Sequence, residues 1–154
     1  MRMNEPKIFI FDIDGTVANC EWRQHHLKQQ PRDWVSFRKG TRADGTHDDI
    51  LFLLKLFAKE GHKILFVTAR TESERADTEW WFSNVAGINR SMYTALYMRA
   101  DDDYREDTIV KAETLKLIRE VHGEPFMVFE DRARVVQMWR DNGVRCLHVE
   151  PGDF

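Results

Sequence analysis

The chain has 154 residues, 42% hydrophobic and 32% charged, which suits one globular domain with its own core and excludes a disordered or fibrous polymer. Its formal net charge of −3 at pH 7 gives no bulk signature of a nucleic-acid or membrane partner, although a local basic patch stays open. Cys20 and Cys146 show no metal or redox spacing, no apolar leader precedes the first expected strand, and no apolar run could span a membrane. A reducing, cytoplasmic setting with no membrane contact is therefore expected.

Residues 7–11 form a short apolar run that stops at two aspartates and a glycine, the pattern of a buried parallel strand reaching its loop. From residue 17 to about 45 periodicity fades and His25, His26, Pro31, Gly40 and Gly45 gather, so residues 18–46 are expected as a small cap or lid with at most short helices. Ile50, Leu53, Leu54 and Phe57 then share one helical face ahead of Gly61. A second strand is expected at 63–67. Thr71 and Glu74 make a capping-box pattern opening a helix towards Val85. A third strand falls at 95–98, a helix at 107–121, a fourth strand at 126–129, a helix at 132–141 and a last strand at 144–149. Strands alternating with helices indicate an α/β fold with right-handed crossovers and a parallel sheet.

In such sheets the ligand site lies beyond the carboxyl ends of the strands, near the point where strand order reverses. Asp12 and Asp14 follow the first strand, Thr68 and Arg70 the second, Glu130 and Asp131 the fourth, so three strand ends deliver reactive side chains to one edge. Asp12-Ile13-Asp14-Gly15-Thr16 sets two carboxylates two residues apart before a sharp turn, and the pair can share a hard cation such as Mg²⁺, with Asp131 as a further ligand. A phosphomonoester repels an anionic nucleophile until its charge is neutralised. On this reading Asp12 forms an aspartyl-phosphate while Thr68 and Lys111 hold the phosphoryl oxygens. Asp14 protonates the leaving oxygen and later activates water, provided its pKa is raised.

Taken together, Asp12-x-Asp14-Gly15-Thr16, Thr68 in Val67-Thr68-Ala69-Arg70, Lys111 and the pair Glu130-Asp131 resemble the four ordered motifs of the haloacid dehalogenase (HAD) superfamily. The resemblance tightens to the 3′-phosphatase domain of T4-like phage polynucleotide kinase-phosphatases. It includes Asp107-x-x-x-Lys111, Asp131-Arg132, residues 135–140 and the terminal Gly152-Asp153-Phe154. Glu130 stands where that family commonly has aspartate.

The resemblance implies a HAD-like Rossmannoid three-layer sandwich and a Mg²⁺-dependent phosphatase acting on polynucleotide 3′-phosphates. A small-molecule 5′-nucleotidase and a catalytically silent HAD-like binding module are the rival readings. Arg23 and Arg70 match arginines of the family's phosphatase site and are placed around the pocket mouth, with Asp107 and Arg132 as further substrate contacts. Glu130 joins Asp12, Asp14 and Asp131 as an expected metal ligand. No Gly-x-x-x-x-Gly-Lys-Ser/Thr occurs, so no kinase domain is expected within 1–154, which reads as a single domain. Nucleic-acid 3′-phosphate ends or nucleotides are the expected substrates. A homo-oligomer is compatible with the sequence, as is a host-cell cytoplasm if the chain is phage-encoded.

The remaining features read as structural. The six histidines show no zinc spacing, and Asp101-Asp102-Asp103 reads as a solvated loop. Trp80, Trp81 and Trp139 suit a core. Trp34, within the insertion, is the ring to test for stacking on a base.

Overall fold

A computed structural model describes residues 5–152; Asp153 and Phe154 of the motif-like tail lie outside the described residues. Five parallel strands form the central sheet in the order β5-β4-β1-β6-β7, where β1 is Ile8–Phe11, β4 Lys63–Thr71, β5 Ala95–Arg99, β6 Met127–Arg132 and β7 Cys146–Gly152. Every residue of β1 is buried, which explains its unbroken apolar sequence: it is the middle strand and both of its faces are covered.

The faces separate by the strand alternation of two. Phe9 and Phe11 point into a core with Leu54 of α2 (Asp48–Lys59) and Trp81 of α3 (Arg75–Trp81). Ile8 and Ile10 point into a second core with Leu115 and Ile118 of α4 (Asp107–Val121) and Trp139 of α5 (Ala133–Asp141). This is the three-layer α/β sandwich expected. Burying both faces of one sheet is what lets so short a chain keep its middle strand dry.

Chain order places the site. From β1 the sheet grows to β4 and β5 on one side and to β6 and β7 on the other, so strand order reverses at β1 and a crevice opens at its carboxyl end. Asp12 stands there, with its backbone N–H donating to Phe129 of β6.

The segment after β1 folds back through a tight turn. The Gly15 N–H donates to the Ala18 carbonyl, and a two-residue ladder pairs β2 (Ala18–Asn19) with β3 (Gly45–Thr46), closing the base of the intervening stretch. That stretch holds a 3-10 segment, Glu21–Lys28, and one short helix, α1 (Trp34–Lys39), in keeping with its weak periodicity.

Three strands run three or more residues further than expected, β7 reaching Gly152 rather than 149. β4 continues through Thr68 and Arg70 to Thr71, with its pairing to β5 shifting register between Val67 and Thr71. β6 continues to Arg132, with its pairing to β7 shifting between Glu130 and Arg132. Polar residues at these ends read as loop in the sequence, but the irregular register keeps them in the strand while re-aiming side chains towards the crevice. The capping box at Thr71 and Glu74 is formed, opening a 3-10 turn and then α3. Trp81 and Trp139 are buried, whereas Trp80 is 39% exposed: consecutive helical positions point about 100° apart, so burying Trp81 turns its neighbour outwards.

Candidate active site

The carboxyl end of β1 presents Asp12, buried and bonded on both oxygens. Lys111, reaching over from the first turns of α4, places Nζ 3.0 Å from Asp12 Oδ1 and 2.8 Å from Glu130 Oε2, while the Thr16 hydroxyl donates to Asp12 Oδ2 at 3.4 Å. Asp131, next along β6, completes a trio: one oxygen from each of Asp12, Glu130 and Asp131 falls within 4.8 Å of the others. With all three ionised, three carboxylates against one ammonium would leave two negative charges in excess. Burial first, then Glu130, pushes Asp12 well above the usual carboxylate range, and the same two causes push Asp131 to about 7. Glu130 goes the other way, because Lys111 outweighs its burial. Lys111 stays charged: burial works against its proton, but Asp12 and then Glu130 more than compensate.

The donor set fits a hard divalent cation. Oxygen ligands, two negative charges in excess once all are ionised, and a close trio are what Mg²⁺ selects. Gly15 shapes the cradle: its φ is +81°, and a Cβ there would overlap the Asp131 carboxylate, so glycine is required by backbone and by space. Asp14, expected as a further ligand, is directed elsewhere. Arg70 Nη2 lies 2.6 Å and Arg23 Nη2 2.9 Å from Asp14 Oδ1, and Arg70 Nε also donates to its Oδ2 at 3.1 Å.

Those contacts correct two expectations. Arg23 and Arg70 are not at the pocket mouth; they are 1% and 4% exposed and converge behind Asp14. The raised pKa required of Asp14 is also absent. Burial pushes it up, but Arg70 and then Arg23 outweigh that and bring it down to about 2.

Both arginines converge on Asp44, a residue that nothing in the sequence signalled. Its buried carboxylate accepts from Arg23 Nε at 2.7 Å, Arg23 Nη2 at 2.5 Å, Arg70 Nη2 at 3.4 Å and the Trp22 indole at 3.0 Å. Its backbone carbonyl accepts from Trp81. Asp44 escaped notice because it lies in the aperiodic stretch, thirty positions beyond Asp14 in the chain, where only folding brings the two together.

Thr68 is buried and lines the same cavity, its hydroxyl oxygen accepting the Arg70 N–H at 3.1 Å. Asp107 opens α4 just after the cap residue Glu106 and pairs with both Arg99 and Arg132. A carboxylate so engaged suits positioning those cations better than touching an anionic substrate itself. Asp12, Asp14, Thr68, Arg70, Lys111 and Arg132 all face one cavity of about 1360 Å³.

The model of the polynucleotide kinase PNKP phosphatase domain, of HAD type, matches residues 6–154. The chain belongs to that family. This PNKP-type phosphatase is also similar to a chain of the Pnkp1/Rnl/Hen1 RNA repair complex, at 28% identity and a TM-score of 0.78 over 100% of its own length and 45% of the other chain. A second structure of that complex matches at 28% identity and 0.77, covering 48% of the partner chain, so the phosphatase spans about half the length of those relatives. A haloacid dehalogenase-like hydrolase from Streptococcus pneumoniae shares the fold at 14% identity and a TM-score of 0.70, over 98% of this chain and 89% of that one. The HAD-type hydrolase YfnB from Bacillus subtilis, solved with magnesium bound, does so at 9% and 0.65, over 97% and 94%. Among the described residues no helix is long and apolar enough to cross a membrane.

Proposed function

We propose that this phosphatase removes 3′-phosphates from polynucleotide ends with Mg²⁺, by way of a phosphoryl group carried on Asp12. The observation that carries the reading is the convergence of Asp12, Lys111, Glu130 and Asp131 with the Asp14–Arg70–Arg23 cluster at one strand-order reversal. Family membership and likeness to chains of an RNA repair complex support the polynucleotide substrate. So does cavity size: about 1360 Å³ exceeds the roughly 300–1,000 Å³ that serves a drug-sized ligand.

Asp12, Glu130 and Asp131 would hold the cation, which when bound neutralises phosphoryl charge and so admits an anionic nucleophile. A carboxylate oxygen of Asp12 then forms a bond to phosphorus while the bond to the ribose oxygen breaks. Lys111 and Thr68 donate to the phosphoryl oxygens. Asp14, a carboxylate in the unliganded protein, suits the second step: it takes a proton from water, which attacks phosphorus and frees Asp12 and phosphate. For the first step it must carry a proton to the leaving oxygen. The incoming phosphate supplies the means: it competes for Arg70, which lines the cavity and is the stronger of the two holds on the Asp14 pKa, so Asp14 takes up a proton from solvent before transfer.

The test is phosphate release from matched 3′-phosphate, 5′-phosphate and cyclic-phosphate oligonucleotides and from nucleoside monophosphates. A 3′-phosphate end is expected to give the highest kcat/KM. Preference for free 5′-mononucleotides would replace this reading with a small-molecule nucleotidase.

A further inference from the structure

Trp22 is the most exposed of the tryptophans and is nonetheless fixed by a hydrogen bond. Its side chain is 51% exposed and lines the cavity that holds Asp12 and Asp14. Its indole N–H is engaged by the buried Asp44 at 3.0 Å. Further along the same edge of the ring the end of α1 closes in: a Cβ at Gly40 would lie 2.9 Å from Cη2 and Cζ2. The next residue in the chain, Arg23, grips Asp14. A large apolar surface has thus been left open to solvent on the wall of that cavity while its rotation is arrested along one edge.

Burial alone does not account for this arrangement, since a ring serving only as packing would turn its face inwards. A nucleobase does account for it. Every base presents a π face, stacking on an aromatic ring tolerates any sequence, and a platform already immobilised loses little rotamer entropy when the base arrives. Trp34, the ring singled out from the sequence, is held by an edge contact to Phe37 and the Arg38 guanidinium above it. Trp34 lines the same cavity, but it reaches the Asp14 arginines only through Phe37, whose carbonyl accepts from Arg23, whereas Trp22 donates directly to the Asp44 carboxylate that binds both of them.

We propose that the exposed face of Trp22 is the platform on which the nucleobase bearing the departing phosphate stacks, so that the enzyme recognises a terminal nucleotide rather than a bare phosphoester. This rests on the polynucleotide-end reading and adds to it the residue that senses the base. Asp44 then serves two ends at once, holding the platform and the arginines in one frame.

The test compares two short single-stranded oligonucleotides with 3′-phosphates, identical except that one lacks the terminal base, with glycerol 2-phosphate as a third substrate. The readout is the ratio of kcat/KM for the base-bearing over the abasic oligonucleotide. In Trp22→Leu that ratio is expected to fall roughly 5- to 150-fold relative to wild type. Trp22→Phe, which keeps a ring but not the donor to Asp44, is expected to retain most of it. Equal losses on both oligonucleotides would show that Trp22 only props Arg23 and Asp44, and would overturn the proposal, as would an unchanged ratio. A collapse of the ratio in Trp34→Leu instead would move the base to that ring and overturn it too. If wild type treats the base-bearing oligonucleotide and glycerol 2-phosphate alike, the polynucleotide reading itself fails, a result separate from any outcome of the variants.

Discussion

At Asp14 burial and two guanidiniums pull in opposite directions, and the guanidiniums win. Asp14 at about 2 lies below its usual 3.8, so the folded state holds its proton less tightly than the unfolded chain does. The stability this contributes, at most about 2 kcal/mol, is complete above about pH 4 and is lost as pH falls through 2. Urea unfolding between pH 7 and pH 2.5 is expected to show a smaller acid loss in Asp14→Asn than in wild type; equal losses would mean that the arginine grip contributes nothing to folding. Asp44 is the heavier case. Asp44→Ala leaves Arg23 and Arg70 buried beside Asp14 with one carboxylate fewer, which costs about 3–5 kcal/mol where a buried pair is broken. Asp44→Ala is expected to lower the urea midpoint sharply at an unchanged m-value. A midpoint within error of wild type would show that the Arg23 and Arg70 pairs to Asp44 are not held in solution.

Element by element, the turns after β1 and at the end of α1 carry the tightest steric demands. Gly40 has an ordinary φ of −82°, so Gly40→Ala meets no backbone penalty and its whole effect comes from pressing on Trp22 and Arg23, at a cost of about 1–3 kcal/mol for overpacking. Gly61 is the converse: its φ is +85° with nothing within 4 Å of a new Cβ, so Gly61→Ala costs about 1–2 kcal/mol of backbone strain alone. Both variants are expected to lose stability, but only Gly40→Ala to lose kcat/KM on a 3′-phosphate oligonucleotide; a similar loss in Gly61→Ala would break the link between Gly40 and the site.

The same elements show what the sequence made legible. β1 and the capping box follow from local pattern: an unbroken apolar run, and Thr71 with Glu74. α4 follows in its bounds but not in its face: of Val110, Leu117, Ile118 and Val121, the side its periodicity suggests, Ile118 is buried while Leu117 and Val121 are exposed, and Leu115 joins Ile118 in the core. Asp12, Lys111, Glu130 and Asp131 were readable because each sits at a strand end or helix start and appears in family order. Asp44 and Trp22 were not, since their roles arise from contacts closing across an aperiodic segment. The depth of Arg23 and Arg70 was hidden for a related reason: arginine is seldom buried unless paired, and Asp44 was the unseen partner.

Across the whole molecule the sheet brings three strand ends and one helix start to a single crevice, leaving an excess of negative charge there that only folding creates. A cation that binds the folded chain and not the unfolded one stabilises it by mass action, about 2.7 kcal/mol at a hundredfold excess over Kd. Mg²⁺ is therefore expected to raise Tm in wild type and much less in the double variant Glu130→Gln, Asp131→Asn, as read by thermal unfolding with and without EDTA. An equal rise in both would place the cation elsewhere. The central claim is that a phosphoryl group passes from a polynucleotide 3′ end to Asp12. Rapid acid quench of the wild-type enzyme, within the first turnover of a 3′-[³²P]phosphate oligonucleotide with Mg²⁺, tests it most directly. Label is expected on the protein within the first turnover, mapping by peptide mass to Asp12 and absent from Asp12→Asn. Free labelled phosphate released by the quenched enzyme with none ever bound to protein would contradict it.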